Sequence, residues 1–143
     1  MPQNGSRALG KHLIIELEGC PPHLINDLGF IRQSLLSAAT EIGATIMGES
    51  FHRFSPQGVS GVVVIAESHI SIHTWPEYGY AAADVFTCSG SLAADKVVEL
   101  LRERFLARQA NAIEIQRGIF SVAEAERRTT HGDVLAASAG HRS

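Results

Sequence analysis

Short runs of apolar and β-branched residues recur along most of the chain, and they predict the strands of a sheet. Each run is bounded by glycine, proline or polar turn residues, which interrupt a strand ladder. The runs cover residues 11–17, 44–54, 59–66, 69–75, 80–88 and 111–116, with Gly48 a candidate bulge in the second. Because almost nothing separates the third run from the fourth, we expect a hairpin that turns tightly around Glu67 and Ser68.

Two further segments repeat apolar residues at spacings of three and four, which is typical of one buried helix face. The first helix is expected to end at Gly43, and the second to begin after a cap at Ser91. The two stripes consist of Leu24, Leu28, Ile31, Leu35, Ala38 and Ile42, and of Ala94, Val97, Val98, Leu101 and Phe105. This combination predicts an α+β fold: a two-layer sandwich with a mainly antiparallel sheet and two helices on one of its faces.

Composition narrows the class of protein. A chain of 143 residues with 45% hydrophobic residues fits one domain with one core. Proteins that bind nucleic acid usually carry a basic face, so the formal net charge of −3 argues against such a partner. The longest unbroken apolar run, residues 62–66, is far shorter than the roughly 20 residues that cross a membrane. We expect residues 1–10 and about 121–143 to be flexible, because the first are polar and the last lose periodicity.

The cellular compartment is predicted from the start of the chain and from its cysteines. The first twenty residues lack the apolar core of a signal peptide. Without such a signal, Cys20 and Cys88 are expected to be reduced thiols rather than a disulfide. We therefore expect a cytoplasmic protein.

Candidate chemistry is concentrated between residues 60 and 90. This stretch holds the only tryptophan, both tyrosines, two histidines and one of the two cysteines. Reactive groups set among β-branched and aromatic residues are typical of strands that carry a site. His69 and His73 lie about 13 Å apart on an extended strand and cannot share one ion, so no metal site is expected.

Overlapping this region, residues 51–88 have the sequence FHRFSPQGVSGVVVIAESHISIHTWPEYGYAAADVFTC, which combines the motifs ESH, IHTWPE and FTC. At these spacings they closely resemble the pyruvoyl-dependent S-adenosylmethionine decarboxylase proenzymes of bacteria and archaea, and the resemblance extends over residues 11–118. It implies a lyase made as a zymogen, which decarboxylates S-adenosylmethionine for spermidine and other polyamine synthesis. One departure is Ser89 after the FTC motif, where the family commonly has glycine; it is expected to shift Cys88 slightly.

The resemblance also implies how the cofactor is made. Ser68 attacks the carbonyl carbon of Glu67, and the resulting ester is eliminated, so that the chain is split into residues 1–67 and 68–143. Ser68 becomes a pyruvoyl group that forms a Schiff base with the substrate. By the same resemblance, His73 removes the α-proton of Ser68, Cys88 protonates the decarboxylated substrate, and Ser60 assists processing by binding a developing oxyanion.

The spacing of Ser68 and His73 raises a geometric question. Five residues of extended strand span about 16 Å and place the two side chains on opposite faces. Either the chain bends sharply at Glu67–Ser68, or His73 comes from a second copy of the protein. We favour a homodimer of processed protomers, two of each chain, in which Ser68 and Cys88 of one protomer meet Ser60 and His73 of the other.

Four residues are expected near the substrate by resemblance. Phe54 would stack on adenine or meet the sulfonium, and Glu77 would accept both ribose hydroxyls. Leu17 and Glu18 match positions near the substrate more weakly. Two alternatives are a pyruvoyl-dependent arginine decarboxylase of the same family and a non-catalytic regulatory paralogue. Phe54 and Glu77 favour the nucleoside substrate over arginine, and the intact ESH motif argues against the paralogue.

Overall fold

The structure is a computed structural model that describes residues 6–88 and 92–121. Six strands form one sheet in the order β2-β3-β4-β5-β1-β6. Their bounds are Ser6–Glu18 (β1), Ile46–Arg53 (β2), Val59–Ile65 (β3), Ser68–Trp75 (β4), Tyr80–Thr87 (β5) and Gln109–Ser121 (β6). The paired strands from β2 through β1 all run antiparallel. The predicted bulge is confirmed, because the β2–β3 register shifts between Ile46 and Gly48.

The helices are a one-turn α1 (Pro22–Ile25), α2 (Leu28–Glu41) and α3 (Asp95–Arg104), and a single 3₁₀ turn covers Pro76–Tyr78. The prediction of one continuous first helix was wrong. The chain leaves helical geometry between α1 and α2, and Asp27 caps α2 by accepting a hydrogen bond from the Phe30 amide. Such a cap satisfies a helix-end donor that would otherwise have no partner.

Other predicted boundaries also shift. β1 begins at Ser6 instead of residue 11, and β6 continues to Ser121 instead of ending at residue 116. α3 has Ala94 at its N-cap with no side-chain bond, so the helix begins later than the predicted cap at Ser91 implied. Ser91 itself, Ser89 and the terminal residues 1–5 and 122–143 lie outside the described residues.

Alternating burial defines the two faces of the sheet. On β4, Ser68, Ile70, Ile72 and Thr74 are buried, whereas His69, Ser71, His73 and Trp75 are more exposed. Ile70 and Ile72 pack into one core with the buried residues of α2 and α3, such as Leu35 and Leu101. We call this the helix-covered face, and the side that carries His69 to Trp75 the open face. The predicted α+β sandwich with helices on one face of the sheet is therefore confirmed.

Contacts divide the chain into two compact units. One unit is residues 10–115, and it contains every candidate site residue. The described residues of the other unit are 6–9 and 116–121, which are the ends of β1 and β6. None of the described helices is long and apolar enough to cross a bilayer.

Candidate functional site

The β3–β4 hairpin holds the ESH motif at its tip. Ile65 pairs with Ser68, so the turn consists of Ala66 and Glu67, and Ser68 is already the first residue of β4. Glu67 has φ of 59°, in the left-handed region, where a side chain costs about 1–2 kcal/mol. The predicted tight turn is thus found one residue earlier than expected, and it leaves strain in the residue that precedes Ser68.

Ser68 lies on the helix-covered face and is only 9% exposed. Its register partners are Ile65 on β3 and Thr87 on β5. No group among the described residues hydrogen-bonds its Oγ atom, although that atom is buried. A buried hydroxyl without a partner is uncommon in folded proteins, and it makes Ser68 a candidate reactive group.

Cys88 follows β5 directly and is exposed, whereas Thr87, the residue before it, is buried. Because Thr87 is paired with Ser68, the register brings Cys88 within one residue of the strand position opposite Ser68. Both cysteines are free thiols, as predicted. Burial raises the pKa of Cys20 to about 11, so this second thiol stays protonated in the core.

His73 and Ser60 form the second pair of predicted site residues. They are directly opposite each other on β4 and β3, and Ser60 Oγ lies 2.7 Å from His73 Nδ1. A single row of paired residues crosses the sheet here, from His52 through Ser60 and His73 to Ala82 and Glu16. The expectation that Ser60 and His73 belong together is confirmed, although Ser60 contacts the histidine and not the scissile carbonyl.

The two pairs are not brought together within one chain. β4 runs as an uninterrupted strand from Ser68 to Trp75, and its alternation puts Ser68 and His73 on opposite faces. Five residues of such a strand span about 16 Å. The turn at Glu67 lies before Ser68, so it does not bring Ser68 back toward His73 in this conformation.

Three of the predicted substrate contacts are exposed at the His73 end of the sheet, and the fourth is buried. Phe54 follows β2, is 48% exposed and packs edge-on against His52 at a ring distance of 4.5 Å. Glu77 is exposed in the 3₁₀ turn after β4, and Glu18 is exposed at the end of β1. Leu17 is 0% exposed in the core, so its side chain reaches no surface and the predicted substrate contact is not supported.

A cluster that the sequence did not predict lies on the open face. Asp84 Oδ2 accepts hydrogen bonds from His12 Nε2 at 2.7 Å and His69 Nε2 at 2.8 Å, and Ser71 donates to Oδ1. Burial alone would raise the pKa of Asp84, but these three hydrogen bonds outweigh it and hold that pKa below its usual value. Of the described residues, these two histidines and Asp84 are the group whose ligand atoms lie close enough to hold a metal ion.

The cluster also acts on the residue next to Ser68. His69 is bonded to Ser68 in the chain, and its ring stacks on Phe86, with 6.0 Å between the ring centres. The hydrogen bonds of Asp84 therefore link His69 on β4 to β5 and, through His12, to β1. No run of the sequence indicates this, because His12 on β1 is 72 residues from Asp84 along the chain.

An aromatic pair lies on the open face at the His73 end of the sheet. Trp75 stacks on Tyr80 with 5.4 Å between ring centres, and the Tyr80 hydroxyl donates to Glu16. The Glu16 carboxylate, together with burial, raises the pKa of Tyr80 to about 12. Tyr80 therefore remains a hydrogen-bond donor at neutral pH and is a poor base.

Comparison with known proteins assigns the family. The family model for S-adenosylmethionine decarboxylase matches residues 11–118. A protein of Thermodesulfovibrio yellowstonii named S-adenosylmethionine decarboxylase proenzyme is 48% identical over 80% of this chain and 84% of its own length. One of the same name from Pseudomonas aeruginosa is 51% identical over 78% of this chain and 69% of its own. The crystal structure of the adenosylmethionine decarboxylase from Aquifex aeolicus is similar at 33% identity with a TM-score of 0.74, covering 80% and 95% of the two chains.

Proposed function

Because the chain belongs to the S-adenosylmethionine decarboxylase family, we propose that it is a proenzyme that cleaves itself between Glu67 and Ser68 and then decarboxylates S-adenosylmethionine. The products are carbon dioxide and decarboxylated S-adenosylmethionine, the aminopropyl donor for spermidine. The observation that carries this proposal is the placement of Ser68: a buried hydroxyl without a partner, directly after the strained Glu67. We place the enzyme in the cytoplasm, in keeping with its two free cysteines.

Cleavage uses only groups of the chain and water. Ser68 Oγ adds to the Glu67 carbonyl carbon, and the amide C–N bond breaks to give an ester and a free amine. Loss of the Ser68 α-proton then breaks the Cβ–Oγ bond, and the oxygen leaves as part of the Glu67 carboxylate. Water replaces the amine, which departs as ammonia, and a pyruvoyl group remains. The left-handed strain at Glu67 favours this cleavage because the break releases it.

The residues around Ser68 fit such a group. Register pairs on both sides of β4 hold position 68 in place after the chain is cut, and His69 is anchored by Asp84. A pyruvoyl group at this position would supply a ketone carbonyl for the substrate's α-amine and a conjugated amide carbonyl that takes up the electrons released with carbon dioxide. Cys88, exposed beside this position, would deliver a proton to the substrate's α-carbon.

His73 is the proposed base for the Ser68 α-proton, and Ser60 orients it. For Nε2 to accept a proton, Nδ1 must carry the hydrogen and donate it to Ser60 Oγ, which lies 2.7 Å away. Ser60 thereby holds the ring in a fixed orientation. This orienting role replaces the oxyanion contact expected for Ser60, because its hydroxyl is already engaged with His73.

A two-fold dimer would complete the site. Ser68 and Cys88 lie at one end of the sheet and His73, Phe54 and Glu77 at the other, so one chain presents two half-sites. Pairing two protomers in opposite directions would set each half-site of one chain against the complementary half-site of its partner. The partner's His73 would then approach the Ser68 α-proton, which lies on the backbone of β4 and not with the side chain on the helix-covered face. We therefore propose that the base and the substrate-binding residues Phe54 and Glu77 reach Ser68 from the other protomer.

Mixed dimers test this arrangement. Ser68→Ala and His73→Ala chains with different tags are co-expressed, and dimers that carry both tags are isolated. The His73→Ala chain should be cleaved in these dimers, because it keeps its serine and its partner supplies the histidine. Each variant alone should stay uncleaved. If neither chain is cleaved in dimers shown to be mixed, both groups must act within one protomer.

The substrate is tested separately, with processed protein and two amino acids labelled in the carboxyl carbon. Carbon dioxide should be released from S-adenosylmethionine and not from arginine, because Phe54 and Glu77 offer an aromatic face and a carboxylate to a nucleoside. Glu77→Gln should raise KM for S-adenosylmethionine, since a neutral amide binds the ribose diol less well. Release from arginine alone would assign the chain to the alternative substrate, and release from neither would favour the regulatory alternative.

A further inference from the structure

Four polar side chains are buried in the described part of the chain: Ser34, Ser68, Thr74 and Thr87. Ser34 donates to the Phe30 carbonyl and accepts from Arg104, and Thr74 donates to the Ile25 carbonyl and accepts from the Val59 amide. Ser68 Oγ and Thr87 Oγ1 have no hydrogen-bond partner among the described residues. Two of these hydroxyls thus have hydrogen-bond partners in the core, and the other two are unpartnered.

The two unpartnered hydroxyls belong to residues that face each other. Ser68 and Thr87 are register partners on β4 and β5, and both side chains point to the helix-covered face. Directly opposite residues of an antiparallel pair have Cβ atoms about 5 Å apart, within reach of a hydroxyl–hydroxyl contact after a small change in rotamer. Buried hydroxyl groups in folded proteins are normally hydrogen-bonded. Two facing hydroxyls without a partner therefore point to a role in a reaction and not in stability.

We propose that Thr87 is a further residue of the self-cleavage site, an inference that rests on the proposed function. Its hydroxyl donates a hydrogen bond to the Ser68 oxygen as the ester forms, and it keeps that bond as the Cβ–Oγ bond breaks. The electron pair of the broken bond goes to the oxygen that leaves with Glu67, while the α-proton goes to His73. Thr87 exchanges no proton and stabilises the charge that develops on the leaving oxygen.

The chemistry makes this role specific to cleavage. Once the oxygen has left with Glu67, the Ser68 Cβ becomes a methyl group, which accepts no hydrogen bond. Thr87 then has no polar atom of that side chain to contact. Its hydroxyl should therefore matter for the rate of cleavage and much less for turnover by protein that is already cleaved.

The experiment compares the same substitution at two buried threonines. Thr87→Val should slow cleavage about 10- to 100-fold, the range of one hydrogen bond to a developing charge. Its melting temperature should equal or exceed that of the wild type, because valine replaces an unpartnered hydroxyl with a methyl group of the same shape. The Thr87→Val protein that does cleave should turn over S-adenosylmethionine within about threefold of the wild-type rate. Thr87→Ser keeps the hydroxyl and should cleave like the wild type.

Thr74→Val is the matched control, because Thr74 is buried on the same face but has two hydrogen-bond partners. It should lower the melting temperature and leave the cleavage rate of folded protein unchanged. The inference would be overturned if Thr87→Val cleaves at the wild-type rate. It would also be overturned if slow cleavage by Thr87→Val comes with a fall in melting temperature like that of Thr74→Val. A wild-type chain that never cleaves would instead refute the proposed function.

Discussion

Replacing Ser68 with alanine is expected to leave a single uncleaved chain of 143 residues with no decarboxylase activity. Alanine has no oxygen to attack the Glu67 carbonyl, so neither the ester nor the pyruvoyl group can form. The fold should be kept, because the Ser68 hydroxyl bonds no described group and alanine leaves little empty volume. Denaturing gel electrophoresis and intact mass measurement read the outcome directly.

Ser71→Ala is the matched control for this experiment. Ser71 lies on the same strand but on the open face, where its hydroxyl is bonded to Asp84. This variant should still cleave after Glu67. Two chains from the Ser68→Ala variant would exclude Ser68 as the nucleophile, and loss of cleavage in both variants would point to a general disturbance of β4.

Cys88→Ala should produce the second large effect, on turnover instead of cleavage. Removing a positioned proton donor typically costs 10²- to 10⁴-fold in rate, so carbon dioxide release should fall within that range. Cys88 is exposed and lies outside the core, so the melting temperature should change little. The rate is to be normalised to the amount of cleaved protein, which separates turnover from processing.

Cys20→Ala provides the comparison for the thiol. Cys20 is buried in the core, and this burial raises its pKa to about 11. Its replacement should lower stability and leave the turnover of folded protein near the wild-type rate. Near-normal turnover by cleaved Cys88→Ala protein would mean that another group supplies the proton.

Much of the sheet could be predicted, because strands and hairpins leave local patterns. The β3–β4 hairpin is the clearest case: two apolar runs with almost nothing between them predicted it. Its turn lies one residue earlier than predicted, and the observed register pairs Ser60 with His73. The break between α1 and α2 could not be predicted in the same way. The apolar stripe continues through it, and only the cap at Asp27 shows where α2 begins.

The Asp84 cluster and the Ser68–Thr87 pair needed the three-dimensional structure. His12 and Asp84 are 72 residues apart in sequence, and they meet only because β1 is inserted beside β5. Thr87 carries no signal in the sequence beyond its place in the FTC motif. Its significance comes from a missing hydrogen bond, which is a property of the packed core. Leu17 shows the reverse case, a residue placed near the substrate by resemblance whose side chain lies in the core.

The most direct test of self-cleavage is the intact mass of the purified wild-type protein under denaturing conditions, combined with N-terminal sequencing. We predict two chains, residues 1–67 ending in a free Glu67 carboxylate and residues 68–143 beginning with a pyruvoyl group. The second chain should resist sequencing until its carbonyl is converted to an amine. A single chain with a sequenceable start, or a second chain that begins with an ordinary serine amine, would contradict the proposal.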